Sequence, residues 1–173
     1  MISERMQRAI NAQINAEMWS AYLYLSMSMD AADKGLKGIS HWYRQQFAEE
    51  QQHAMKFADY LASHSVRVSL TAIDGVRDTW ASAEEMFAQT VEHERNVTKM
   101  IYNLCDIATE EHDYATMNML TWFVNEQIEE EQTALDILDS LKKIGDKRVG
   151  LYMIDKELAA RTYVVPTPLA GKE

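Results

Sequence analysis

Glu50-Gln51-Gln52-His53 sets a carboxylate and an imidazole one helical turn apart, on one face of a segment patterned as an amphipathic helix. That face also carries Tyr43, Gln46, Phe57 and Tyr60, a mostly apolar stripe that should point into a core. Three other segments repeat the anomaly. Glu17 is in line with Ile10, Ala21 and Tyr24, Glu94 with Phe87, Val97 and Ile101, and Glu130 with Phe123, Ala134 and Ile137. A buried carboxylate is costly unless something neutralises it, so four helices that each turn an acid inward point to one shared metal site. Oxygen-rich ligation with a nitrogen from His53 suits iron or manganese better than a structural zinc, which prefers Cys and His. Four carboxylates are neutralised by two divalent ions, and Glu50, central in its motif, is the expected bridge. Gln127, three residues before Glu130, is placed to hydrogen-bond a metal-bound oxygen without adding charge.

A second acid group adjoins the first. Glu49 precedes Glu50, and Glu126 and Glu129 are one turn apart on the fourth helix, which together predict a third, weaker metal site. Tyr24 and Trp122 have the spacing of core residues, with electron transfer through Tyr24 the sharper alternative. Cys105 falls on the stripe of Glu94 and is expected in the core. His41, His64, His93 and His112 lack a companion carboxylate and are expected in surface or turn positions.

The positioning elements follow from composition and period. At 173 residues the chain fits a single domain, residues 1–173, with a sizeable core. A hydrophobic content of 47% with only 6 Gly and 2 Pro favours long helices over many short strands. The net charge of -10 argues against nucleic-acid binding and favours cations as partners. One Cys cannot form an internal disulfide, and the amino terminus carries no apolar leader, which predicts a cytoplasmic protein. No apolar run approaches the roughly 20 residues needed to cross a bilayer, so no membrane partner is expected. Apolar spacing of three and four residues predicts helices from about Glu4 to Asp33 and from about Ser40 to His64, with Gly35 and Gly38 in the turn between them. The pattern lapses from Val66 to Trp80, as a long crossover would. Ser82 and Glu85 have capping-box spacing and open a third helix to about Glu110, and a fourth follows to about Lys143. A fifth, shorter helix spans about 146–160, and Pro166 and Pro168 mark an irregular tail over 161–173. Two hairpins joined by a crossover make an all-α four-helix bundle, which builds metal sites in its core from facing helices.

The sequence resembles the bacterial non-haem ferritins over essentially its whole length. Asn15-Ala16-Glu17, Glu49-Glu50-Gln51-Gln52-His53, Glu94 and Asn125-Glu126-Gln127-Ile128-Glu129-Glu130 fall where that family keeps its ferroxidase ligands, and Tyr24 and Trp122 where it keeps neighbouring aromatics. The resemblance implies an iron-storage protein of twenty-four subunits forming a hollow shell, with the fifth helix near the four-fold axis. It implies oxidation of Fe(II) by dioxygen or hydrogen peroxide before a ferric mineral is deposited. It further implies one iron on Glu17, Glu50 and His53, a second on Glu50, Glu94 and Glu130, and a third on Glu49, Glu126 and Glu129 with help from Glu130. Bacterioferritins differ: they have Glu-x-x-His where this chain has Gln127-x-x-Glu130, and a haem-ligating Met where it has Gln51, so no haem is expected. Animal ferritins carry acids around a three-fold channel where this chain has Met117 and Leu120, so iron is expected to enter by another pore or through the bundle wall. Outside the resemblance, a di-iron bundle that oxygenates organic substrates or reduces peroxide and a bundle that binds ions passively are the competing readings.

Overall fold

The computed structural model describes residues 2–164; Pro166 and Pro168 lie outside them. Among the described residues there are five helices and no strand: α1 (Glu4–Asp33), α2 (Lys37–Ser63), α3 (Ala83–Glu110), α4 (Tyr114–Ile144) and α5 (Arg148–Leu158). Local chemistry starts most of them where the sequence predicts. Ser3 caps α1 by accepting from the Met6 N–H at 3.0 Å, and Asp113 caps α4 by accepting from Thr116 N–H at 3.0 Å. Ser82 accepts from the Glu85 N–H at 3.1 Å, while the Glu85 carboxylate reaches back to the Ala81 N–H at 2.6 Å, one residue beyond the reciprocal partner of a standard capping box. Gly145, at φ +53°, ends α4.

Two apolar clusters occupy opposite ends of the bundle. The first joins Leu23 and Met27 late in α1, Ile39 and Trp42 early in α2, Met86 and Phe87 early in α3, and Leu138 and Leu141 late in α4. The second joins Met6 and Ile10, Phe57 and Leu61, Ile101 and Leu104, and Leu120 and Phe123. Helices α2 and α3 both begin at the first end, so they run parallel, and the chain must return the length of the bundle between them. Residues 64–82 do this along α1. Ser69 N–H donates to Asn11 at 2.6 Å, Asn15 donates to the Ala72 carbonyl at 2.9 Å, Ser26 to the Arg77 carbonyl at 2.7 Å, and Trp80 N–H to Asp30 at 3.1 Å. These side chains supply the backbone partners that an irregular segment cannot find within itself.

The start of α2 differs from the sequence reading. It begins at Lys37 rather than near Ser40, so Gly38 lies in the first helical turn. The cap comes from far along the chain: Asp155 of α5 accepts from the Ile39 N–H at 2.9 Å. Helix α5 packs Leu151, Ile154 and Leu158 against the first cluster and leaves Val149, Tyr152 and Met153 exposed. It approaches α2 so closely that a Cβ on Gly38 would lie 1.5 Å from the Asp155 carbonyl oxygen. Gly38→Ala should therefore push α5 off α2 and lower stability by about 1–3 kcal/mol, read as a reduced thermal midpoint and faster amide exchange in 148–158. Unchanged values for both would contradict this docking.

Candidate metal centre

Between the two apolar clusters lies one polar layer. Glu17 sits between Ile14 and Ala21 of α1, Glu50 and His53 between Tyr43 and Phe57 of α2, Glu94 between Val91 and Val97 of α3, and Glu130 between Phe123 and Ala134 of α4. All five polar residues are buried, none more than 6% exposed. Ligand atoms of Glu17, Glu50 and His53 all lie within 4.8 Å of one another. A second group, Glu49, His53 and Glu126, meets the same limit.

Amides and a phenol hold the acids in place. Gln13 donates to Glu17 at 2.8 Å, Gln46 to Glu130 at 2.9 Å and Gln127 to Glu94 at 3.2 Å, and the Tyr24 hydroxyl also donates to Glu94. Glu94 and Glu130 complete no group as tight as the two above among the described residues. Glu17, Glu94 and Glu130 thus each rest on a neutral amide donor. The neutral amide of Gln127 bonds Glu94.

Burial dominates the electrostatics. It raises the pKa of Glu17 and Glu130, lifts Glu50 well above the carboxylate range with further repulsion from Glu17, Glu94 and Glu130, and carries Glu94 to about 8 with help from Glu130. The same burial lowers His53 to about 4, so its imidazole is neutral at pH 7. A neutral imidazole beside acids too crowded to ionise together is a donor set awaiting positive charge. Glu17 Oε2, Glu50 Oε2 and His53 Nε2 are buried with no hydrogen-bond partner, which is costly unless another ligand fills the gap. The residues present therefore fit hard divalent cations.

The outer group departs from expectation in one member. Glu126 is half-buried and its Oε1 is 3.9 Å from His53 Nε2, whereas Glu129 is exposed and joins no group. Helical geometry explains the split, since Glu126 is rotated about 40° from the inward Glu130 and Glu129 about 100°. Burial raises Glu49 to about 8 and Glu126 to about 7. His93, expected in a surface or turn position, is instead mostly enclosed, with Nε2 2.8 Å from the Ser20 hydroxyl, its ring packed against Trp19 and Tyr24, and its pKa lowered to about 4 by burial. Trp122 packs edge-on to His53, Met117 is half-buried and Leu120 is buried in the second cluster. Cys105 is half-buried beside that cluster.

An α-helical bundle crossed by a buried carboxylate layer defines a class of protein fitted to hold metal ions in its core, and the comparisons make it specific. A ferritin-like domain model matches residues 7–144. A bacterial non-heme ferritin of Bacteroides fragilis is 45% identical over 161 residues, 93% of this chain and 100% of the relative, and one of Staphylococcus saprophyticus is 36% identical over 94% and 98%. An open-pore ferritin from the archaeon Archaeoglobus fulgidus superposes with a TM-score of 0.93 at 48% identity, covering 94% of this chain and 100% of that one. The chain belongs to the ferritin family.

The shifts give the metal-free protein a defined pH response. A carboxyl whose folded pKa is raised stabilises fully below its unfolded value near 4.5 and loses that contribution as pH rises through the folded value, here to about 8 for Glu94. His53 acts oppositely, losing its contribution as pH falls from 6.5 through about 4. The thermal midpoint of the metal-free protein should therefore fall as pH rises from weakly acidic to about 8, and Glu94→Gln should flatten that fall. A midpoint that rises across this range would contradict the assigned shifts.

Proposed function

We propose that this ferritin stores iron by binding two Fe(II) ions in the polar layer, oxidising them and releasing Fe(III) to a mineral. Support comes above all from one observation: four carboxylates and a neutral imidazole are buried together, with ligand atoms left unpartnered. Glu17, Glu50 and His53 would hold one ion, and Glu50, Glu94 and Glu130 the other, with Glu50 between them. Two Fe(II) give up two electrons, enough to convert dioxygen and two protons to hydrogen peroxide, or hydrogen peroxide and two protons to two waters. The chain's own residues contribute in three ways. Gln13, Gln46 and Gln127 orient the carboxylates. Protonated carboxyls give up protons as cations arrive, because metal ligands must be deprotonated. The apolar clusters on either side keep bulk water from the layer. Tyr24, bonded to Glu94, is placed to steady that acid and to pass an electron.

Each subunit is one such domain, and twenty-four are proposed to close a cytoplasmic shell of about 480 kDa from a 19.9 kDa chain. No helix among the described residues is long and apolar enough to cross a membrane. Glu49 and Glu126, with help from Glu130, form the proposed third, outer site, in which Glu129 takes part only if its side chain turns inward. Gln51 offers no thioether, so haem is not expected. Iron entry is assigned to a pore other than an acidic three-fold funnel or to the bundle wall, given Met117 and Leu120.

Stopped-flow absorbance after mixing metal-free protein with Fe(II) in air separates oxidation from passive ion binding. His53→Ala and Glu94→Ala should each slow the initial oxidation at least about tenfold while the assembled mass is retained. Wild-type rates in both variants would eliminate the polar layer as the oxidation site. Replacing Glu49, Glu126 and Glu129 together by Ala should leave the first two-iron oxidation largely intact but change the iron oxidised per oxygen consumed, measured with an oxygen electrode. Unaltered stoichiometry would reduce these acids to a solvated face.

A further inference from the structure

The chain beyond α5 folds back over α2 and ends on the outer group. The Arg161 carbonyl lies 2.7 Å from His41 Nε2, and the Tyr163 N–H donates to Gln45 at 2.9 Å. Between these anchors the Arg161 guanidinium lies 4.7 Å from the Trp42 ring, donates to the Trp42 carbonyl at 3.4 Å, and donates to Glu49 Oε2 at 2.6 Å. This ion pair is largely sheltered, with side chains 23% and 9% exposed. The Tyr163 hydroxyl is buried without a partner.

Two cations cannot both be satisfied here. Once a bound metal has displaced their protons, Glu49 and Glu126 supply two negative charges and the neutral His53 none, so a divalent ion balances the group and a guanidinium added beside it leaves an uncompensated positive charge. His53 Nε2 is buried, unpartnered and 3.9 Å from Glu126 Oε1; with Nδ1, 3.6 Å from Glu50, given to the inner ion, Nε2 carries the N–H and is aimed at the outer acids, where it could donate to an oxygen held there by a cation. We propose that Arg161 is the resident counter-ion of the outer site, that an incoming divalent cation displaces it from Glu49, and that filling the site thereby releases residues 159–164 from α2. The inference rests on the outer-site reading above. Its consequence is an order of filling: the inner pair of sites, which has no competing cation of its own, loads first, and Arg161 sets how much tighter a cation must bind before it enters the third position.

The test uses the assembled, metal-free protein with Zn2+ as a redox-inert probe. Calorimetry counts the equivalents bound per subunit, and hydrogen–deuterium exchange follows 159–164. Filling the equivalent beyond the inner pair should speed exchange of the Tyr163 amide at least about tenfold, the segment losing its tie to Glu49. Arg161→Gln should show that fast exchange without Zn2+ and bind the outer equivalent about tenfold more tightly, a difference of one power of ten in Kd. Arg161→Lys, which keeps the charge, should fall between the two. An outer equivalent that binds while the segment stays protected, or binds no more tightly to Arg161→Gln, overturns the proposal. If wild type and Glu126→Gln bind the same number of equivalents, the outer site itself fails and the inference fails with it.

Discussion

Charge repulsion inside a closed helical core governs this molecule. Glu17, Glu50, Glu94 and Glu130 come from four different helices and meet at one level, between two apolar clusters that offer them no solvent. Each acid is a cost that packing alone cannot offset, since isolated charges in a low-dielectric interior are strongly disfavoured. The chain limits that cost with neutral donors, Gln13, Gln46, Gln127 and Tyr24, and by holding protons on carboxyls that would be ionised in water. Neither device satisfies Glu17 Oε2, Glu50 Oε2 or His53 Nε2. A cation does.

The rest of the fold keeps that layer closed and in register. Parallel α2 and α3 require a connection the length of the bundle, and Asn11, Asn15, Ser26 and Asp30 of α1 tie it down. Helix α5 caps the start of α2 through Asp155 and so fixes the helix that supplies both Glu50 and His53. The same docking aims the chain beyond α5 along α2 toward Glu49. One close contact at Gly38 thus bears on both the inner and the outer groups.

Much of this was legible because an acid on an apolar stripe breaks a periodic pattern that the eye can follow. Glu17, Glu50, Glu94 and Glu130 each interrupt such a stripe, and Ser82 with Glu85 marks a helix start by spacing alone. Gln13 and Gln46, each four residues before an acid, carried a readable signal that attached no role to them. Other features depend on contacts that spacing does not encode. Gly35 and Gly38 look like one turn until Asp155, distant in sequence, caps the helix at the Ile39 N–H and its backbone packs against Gly38. His93 follows no carboxylate pattern, yet Trp19 and Tyr24 enclose it. Glu126 and Glu129 are one turn apart on paper, but their rotations about α4 send one inward and the other to solvent. Arg161 sits past the last helix, in a stretch whose sequence predicts only an irregular tail.

Proton release on cation binding tests most directly whether these acids await metal. Metal-free protein is titrated with Zn2+ in weakly buffered solution near neutral pH while the protons liberated are counted. Because burial and mutual repulsion keep the carboxyls of Glu50 and Glu94 protonated, binding two ions per subunit should release about two protons or more. Tight binding of two ions with no proton release would contradict a carboxylate layer held neutral by its own surroundings.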